Sequence, residues 1–399
     1  MLTSGAPIPK PEAAPSLESR LKTQIAEGQL QAPGFPSIAL EINRILRNPK
    51  SSAADLAKVL ATDETLAVRV LRRANGPGMN GKGLTSLPLA VARLGRRELA
   101  EVVYAATLGE TAERAGPLLR LRKRVWLEAV ISAVLNRRLA STRSVNEDEA
   151  FLAGLVHDFG RVLTLGALED LIAEGVEVQP MKMSDWLELI DRYHLEVGAR
   201  AAEQWRLPPA LSDAMRCHHR PRRAAVDHRA LITLVSIVDQ VFECLMAAPH
   251  VGRDLLTKRV KTPLRGTEAS IVQALPGTGD EAATLVAATS GGLKARPTPL
   301  ILDESLLASD QYPLDAQLKL DDGAPVAVQS VTRDGVVVDG APDDGLRIAT
   351  AALLVGDDVP VRATVLVQGI EDHTECRWFA LTPAQKKAWD SLFRAARSH

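Results

Sequence analysis

Aromatic side chains supply only 4% of the 399 residues, which leaves little surface for stacking the bases of a single-stranded nucleic acid. Charge of one sign is lacking as well. With 48 basic and 49 acidic side chains the formal net charge is −1, so no global field draws the chain onto nucleic acid or anionic lipid. Cys217, Cys244 and Cys376 are the only cysteines. They form no CxxC pair, which excludes a disulfide framework and fits a reducing compartment. No run approaches the roughly 18 apolar residues of a membrane span, and Met1–Ser16 has no apolar signal core. These absences predict a cytoplasmic chain with neither membrane nor nucleic acid as partner.

Helical periodicity dominates what is present. Residues 1–17 read as a flexible, Pro-containing arm, and 18–258 as an all-α domain. Ile38, Ile42, Ile45 and Leu46 form one stripe, and Ser51-Ser52 stands where an N-cap belongs ahead of Leu56, Val59 and Leu60. Further helices are expected near 125–140, 149–156, 184–205, 209–217 and 230–247. The glycines of Ala74–Gly83 lack the GxxxxGK[ST] spacing and a preceding strand, so they read as a helix–helix loop and not a phosphate loop. Residues 259–313 read as a linker with one short helix near Glu281–Ala288. From about Leu314 the period changes to two, with β-branched runs at Val336–Val338 and Val361–Val367. Thr382-Pro383 then opens a last helix. Residues 314–399 are therefore predicted as a small β-barrel closed by a helix, an α+β module.

Histidine and aspartate carry the chemistry. His157-Asp158 ends an apolar helical run, followed in order by His194, the pair His218-His219, and Asp239 inside another apolar run. Imidazole and carboxylate are the ligands of a divalent ion that activates water. Neighbours on a helix point about 100° apart, so His157 and Asp158 need partners from other helices. The ordinary alternative is that Asp158 caps a helix junction while Asp239 and the histidines satisfy core hydrogen bonds. Basic runs at Arg120–Arg124 and at Arg220, Arg222 and Arg223 could meet phosphate, but with balanced net charge a solvated surface is the favoured account. Trp126, Trp186 and Trp205 sit among helical apolar positions and read as core.

Leu152-Ala-Gly-Leu-Val-His-Asp-Phe-Gly-Arg161 resembles the signature helix of the HD phosphohydrolase superfamily. The stretches Gly34–Leu40, Asp63–Leu66, Val70–Asn75, Ser86-Leu87 with Ala90–Gly95, His194–Gly198, Trp205–Pro208, His218-His219 and Asp239 resemble its HDOD branch over roughly residues 30–247. That resemblance implies a helical HD-like core acting as a non-catalytic module of bacterial signalling, with signalling proteins as partners. It also implies a vestigial site for a divalent metal such as Fe, Mn or Mg, at Glu128, His157, Asp158, His194, His218, His219 and Asp239. Glu128 stands where the superfamily has an earlier metal-binding histidine, and Arg161 stands where it has lysine. Arg161, Arg220, Arg222 and Arg223 are the phosphate-binding candidates. Glutamate for histidine changes the charge and geometry on which water activation depends.

The C-terminal module resembles, in part, the PilZ barrel that receives cyclic di-GMP. Ser330-Val-Thr-Arg-Asp-Gly335 is similar to its [DN]xSxxG turn, which makes Ser330, Thr332 and Gly335 the dinucleotide candidates. No RxxxR stands in the stretch leading into the barrel, and losing two guanidinium forks removes most of such a grip. Three functions follow: a non-enzymatic regulatory platform, a metal-dependent hydrolase of a nucleotide or cyclic nucleotide, and a cyclic di-GMP effector. The altered ligand positions favour the first, with no catalytic residue assigned.

Overall fold

The structure is a computed structural model. It describes residues 16–398 apart from 31–36, 49, 77–78, 80–82, 115, 177, 179–180, 182, 248–252, 290–310, 322, 341–346, 357–359, 371–372 and 380. Nearly all of the N-terminal arm, the Gly34–Pro36 helix start, most of the glycine-rich loop and positions 290–310 of the expected linker lie outside the described residues.

Four short helices begin the fold: α1 (Leu17–Ala26), α2 (Ser37–Arg47), α3 (Ala53–Leu60) and α4 (Glu64–Ala74). Ser52 caps α3 with a reciprocal bond from Asp55, so the serine pair does start a helix there. Two long helices follow, α5 (Leu87–Glu113) and α6 (Leu119–Leu139), with Gly95 breaking α5 at φ 72°. Next come α7 (Glu147–Val156), α8 (Phe159–Ala173), α9 (Met183–Gln204), α10 (Pro209–Cys217) and α11 (Arg229–Ala247). Helices α7 and α8 are apolar enough in composition to resemble a membrane span, yet most of that stretch is buried in the protein core and His157-Asp158 interrupts it. Trp126, Trp186 and Trp205 are buried as expected.

Two expectations from composition meet a different structure. Where a linker with a short helix was expected, α12 (Arg253–Arg259) leads to α13 (Glu268–Thr289), a helix of 22 residues. Its Ile271, Leu275, Ala282 and Leu285 join the helical core. The small side chains that read as linker composition allow close packing of this helix against its neighbours. In the basic run, Arg122 is buried and paired with Glu169 instead of lying on a solvated face.

The C-terminal barrel comprises β1 (Gln317–Leu320), β2 (Val326–Val331), β3 (Gly335–Asp339), β4 (Arg347–Leu354), β5 (Val361–Ile370) and β6 (His373–Phe379). All pairings are antiparallel, and the order β1-β2-β3-β6-β5-β4 closes on itself, which leaves no free sheet edge. Helix α14 (Pro383–Arg397) places Trp389 into the barrel core against Trp378. Thus the chain is a helical domain followed by a six-stranded barrel, the predicted α-then-α+β order.

The barrel meets the helical domain along α13, where Thr364 Oγ1 donates to Asp280 Oδ1 at 2.9 Å. Phe379 contacts Phe242 of α11. Next to this seam, Arg137 on α6 reaches both Glu101 on α5 and Glu281 on α13. Burial raises the Glu101 carboxyl to about pKa 7, against the opposing charges of Arg137 and Arg97. The native state therefore holds a proton on Glu101 that the unfolded chain, with its ordinary carboxyl, releases near pH 4.5. Stability from this group is present below the unfolded pKa and declines as pH rises through about 7, by on the order of 3 kcal/mol in all. Denaturant midpoints at about pH 5 and pH 8 check this. Glu101→Gln should flatten the difference, and an unchanged difference in the variant would assign it elsewhere.

Candidate metal centre and adjoining basic cleft

His157 and Asp158 occupy the junction where α7 stops and α8 begins. Two glycines let the surrounding helices approach there. A Cβ on Gly154 would meet Asn136 Nδ2 at 2.6 Å and Ala133 Cα at 2.9 Å on α6, and one on Gly160 would collide with the His194 carbonyl of α9. Close approach of α9 thus depends on a glycine two residues after Asp158. Asp158 is the N-terminal flanking residue of α8, yet its side chain makes no capping bond. The capping alternative is thereby removed, and the carboxylate faces inward.

Three imidazoles are oriented alike. Nδ1 of His157 lies 2.9 Å from the Gly154 carbonyl, Nδ1 of His194 2.6 Å from that of Asp191, and Nδ1 of His218 2.8 Å from that of Ala214. A carbonyl can only accept, so each Nδ1 carries a proton and each Nε2 is turned toward the centre. This fixed tautomer is what a metal-binding histidine requires. His218 Nε2 then lies 3.2 Å and His194 Nε2 3.5 Å from Asp158 Oδ1. Both His218 Nε2 and Asp158 Oδ1 are buried without a hydrogen-bond partner. A lone pair facing a carboxylate oxygen is unfavourable unless a proton or a metal cation lies between them. His219 Nε2 sits 3.2 Å from His194 Nε2, and its Nδ1 3.6 Å from Asp239 Oδ2.

The donors therefore fall into two overlapping groups among the described residues, His157–Asp158–His218 and His194–His218–His219. Asp239 closes the far side, with Oδ1 at 3.9 Å from His157 Nε2. Nitrogen-rich donors with one or two carboxylates suit Fe or Mn better than Mg. The residues fit such an ion, on the evidence of the two orphaned atoms.

Electrostatics divide the histidines. Burial opposes the His157 cation, but Asp158 and Asp239 outweigh it and raise the His157 pKa. Burial lowers His194 to about 4, despite Asp158. Burial and the charge of His218 also lower His219. Asp158 is held well below the ordinary carboxylate range: burial works against its charge, and Arg161, His157 and His218 overcome it. An ion and a proton thus compete for His157 Nε2.

Arg161 decides how many ions the centre can take. Its Nη1 lies 3.0 Å from Asp158 Oδ2, and its Nε 2.8 Å from Asp191 Oδ1. Glu128 is not brought into the donor groups. It pairs with Arg124 at 3.0 Å and stands 3.7 Å from Arg161. Asp191, three residues before His194, is a site residue without a motif of its own, and the pairing of Arg124 with Glu128 four residues on follows only from helical spacing.

His219 and Asp239 also line an open cleft of about 1130 Å³. Arg220, Arg222 and Arg223 line it, and Arg161, the fourth phosphate candidate, does not. Arg143 lines it too, with Arg259, Lys261 and Arg265 from the expected linker. In the barrel, Ser330, Thr332 and Gly335 serve the β2–β3 hairpin. Ser330 Oγ donates to Gln311, Thr332 is buried with its hydroxyl accepting from the Asp334 amide, and a Cβ on Gly335 would collide with the Cys376 carbonyl.

Residues 32–221 match the family model of the HDOD domain. An uncharacterized protein of Treponema pallidum (strain Nichols) is 26% identical over 236 residues, 57% of this chain; the match spans 45% of that relative. A crystal structure from Shewanella amazonensis SB2B, a "putative metal-dependent phosphohydrolase", aligns with TM-score 0.50 at 16% identity, covering 69% of this chain and 98% of its own. An HDOD domain protein with unknown function from Geobacter sulfurreducens aligns with TM-score 0.45 at 22% identity, over 69% of this chain and 90% of its own. Identities this low bear on the fold alone.

Removing the Asp158 charge leaves Arg161 buried beside fewer anions, and breaking one side of a buried pair costs about 3–5 kcal/mol. Asp158→Asn should therefore destabilise chelator-treated protein by roughly that amount. The double variant Asp158→Asn with Arg161→Met should recover part of the loss in urea unfolding. Additive losses would show that the two groups do not interact.

Proposed function

We propose, from the premise that the chain carries an HDOD domain over residues 32–221, that this protein is a regulatory component of bacterial signalling and not a hydrolase. One observation carries the reading: the Arg161 guanidinium claims Asp158 Oδ2 at 3.0 Å. A carboxylate that bridges two ions through both oxygens gives one to each, and here one oxygen is already engaged by a fixed cation. The two donor groups overlap at His218, so we read them as alternative seats for one ion, which when bound would supply Lewis acidity. Glu128 is held by Arg124 and Arg161, so it is poorly placed to act as the base that a hydrolase would need.

The same residues suit a regulatory role. They come from the α7–α8 junction, α9, the end of α10 and α11, so whatever fills the centre ties four segments together. Helix α11 touches the barrel through Phe242, and α13 does so through Asp280. Occupancy of the centre can thereby bias how the helical surface and the barrel present themselves to protein partners in the cytoplasm.

A second reading, a metal-dependent phosphohydrolase, is favoured by one feature: the basic cleft shares His219 and Asp239 with the centre. One assay separates the two. Purified protein supplied with Mn or Fe should release no phosphate from nucleoside phosphates or a phosphodiester above the rate of His157→Ala. Turnover that the metal confers and His157→Ala abolishes would establish the hydrolase instead.

A further inference from the structure

We propose that the cleft beside the His/Asp centre is a binding site for a small oligophosphate anion, such as the di- or triphosphate group of a nucleotide. The inference deepens the regulatory reading by naming the ligand class the domain senses. It rests on that reading for its consequence and not for the binding itself.

Charge is the first observation. Eight basic side chains line the cleft against two carboxylates, Asp239 and Glu243, whereas the whole chain has a net charge of −1. Cations are thus concentrated in one concavity of an otherwise balanced protein, and low-dielectric walls focus their field. Arg220, Arg222 and Arg223 leave the end of α10, and Arg229 opens α11. Among the described residues, none of Arg220, Arg222, Arg223, Arg259, Lys261 and Arg265 has a carboxylate within 4.0 Å. Solvated surface arginines normally sit among acidic neighbours on convex ground. These converge from separate segments across about 1130 Å³.

Geometry is the second. Arg143 donates from Nη2 to the carbonyls of Pro263 and Leu264 at 2.8 and 2.7 Å, so it ties the α12–α13 segment to the rest of the cleft. Its Nε is buried without a partner. Burial, then the charge of Arg265, disfavours the Arg143 cation, a crowding that an anion would relieve. The hydroxyls of Ser144, Thr233 and Thr262 add neutral donors along the cleft.

These features select the ligand. Guanidinium forks match phosphate oxygens two at a time, and eight lining cations from separate segments call for more than one phosphate. The lining contains no Phe, Tyr or Trp, which removes the stacking a single strand would use. The volume is near that of small-molecule sites. Arg229, Arg259, Lys261 and Arg265 also lie outside residues 32–221, so much of the site is built by the segment beyond the HDOD match.

Calorimetry on the full chain in chelator tests the proposal, with GTP, inorganic triphosphate, inorganic phosphate and a single-stranded oligonucleotide as probes. Triphosphate and GTP should bind at least 10-fold more tightly than phosphate or the oligonucleotide. Equal affinities would mean that the phosphate chain alone is recognised, and tighter GTP binding would identify a nucleotide. Arg222→Glu/Arg223→Glu in one segment and Arg259→Glu/Lys261→Glu in another change exposed residues, and each should weaken binding at least 10-fold with the melting temperature unchanged. Absence of binding, tighter binding of the oligonucleotide, or indifference to both reversals would overturn the site. Phosphate release, followed after Mn is added to parallel samples, keeps the two readings apart. Release would sink the regulatory reading and leave the site standing.

Discussion

The contact between Arg161 and Asp158 governs what the rest of the molecule can do. Asp158 is buried at the meeting point of four helical segments, where an unpaired carboxylate would be too costly to keep. The guanidinium takes Oδ2, which His157 Nε2 also approaches at 3.5 Å, while the Nε2 atoms of His218 and His194 lie 3.2 and 3.5 Å from Oδ1. Arginine stays charged at any pH the cell meets. A position that could have accepted a second, exchangeable cation therefore holds a permanent one.

Packing supports that arrangement at a distance. Gly160 admits the α9 backbone, the backbone carbonyls of Gly154, Asp191 and Ala214 fix the ring tautomers, and Asp191 steadies Arg161 from outside. The segment from α12 to α13 then performs two tasks. It supplies cations to the basic cleft, and its long helix joins the helical core to the barrel. Sensing and output would thus share one stretch of chain.

Much of this was legible in the sequence. Apolar stripes marked α7, α9, α10 and α11 to within a few residues and α6 from its second turn on, since buried faces impose a 3.6-residue period, whereas α8 was not marked separately. The change to a period of two marked the barrel. His157, Asp158, His194, His218, His219 and Asp239 were recognisable because residue types that bind metal recur in a family order. What remained hidden depends on three-dimensional placement. Arg122 reads as one more surface cation, and only the fold shows Glu169 beside it. Helix α13 is rich in Ala, Gly and Thr and contains Pro276, a composition that propensity assigns to a linker and tertiary packing overrides. Arg143, Arg259, Lys261 and Arg265 are scattered in sequence, and no local pattern reveals that they share a cleft with Arg220–Arg223. Glu128 matched a family ligand position, but its engagement by Arg124 and Arg161 depends on side-chain pairing.

Ion stoichiometry tests the central claim most directly. Elemental analysis after equilibration with excess Mn and removal of free ion should give one equivalent per chain for the native protein. Arg161→Ala, which frees Asp158 Oδ2, should then move toward two. Two equivalents in the native protein, or a count indifferent to Arg161, would contradict the claim that this guanidinium limits the centre.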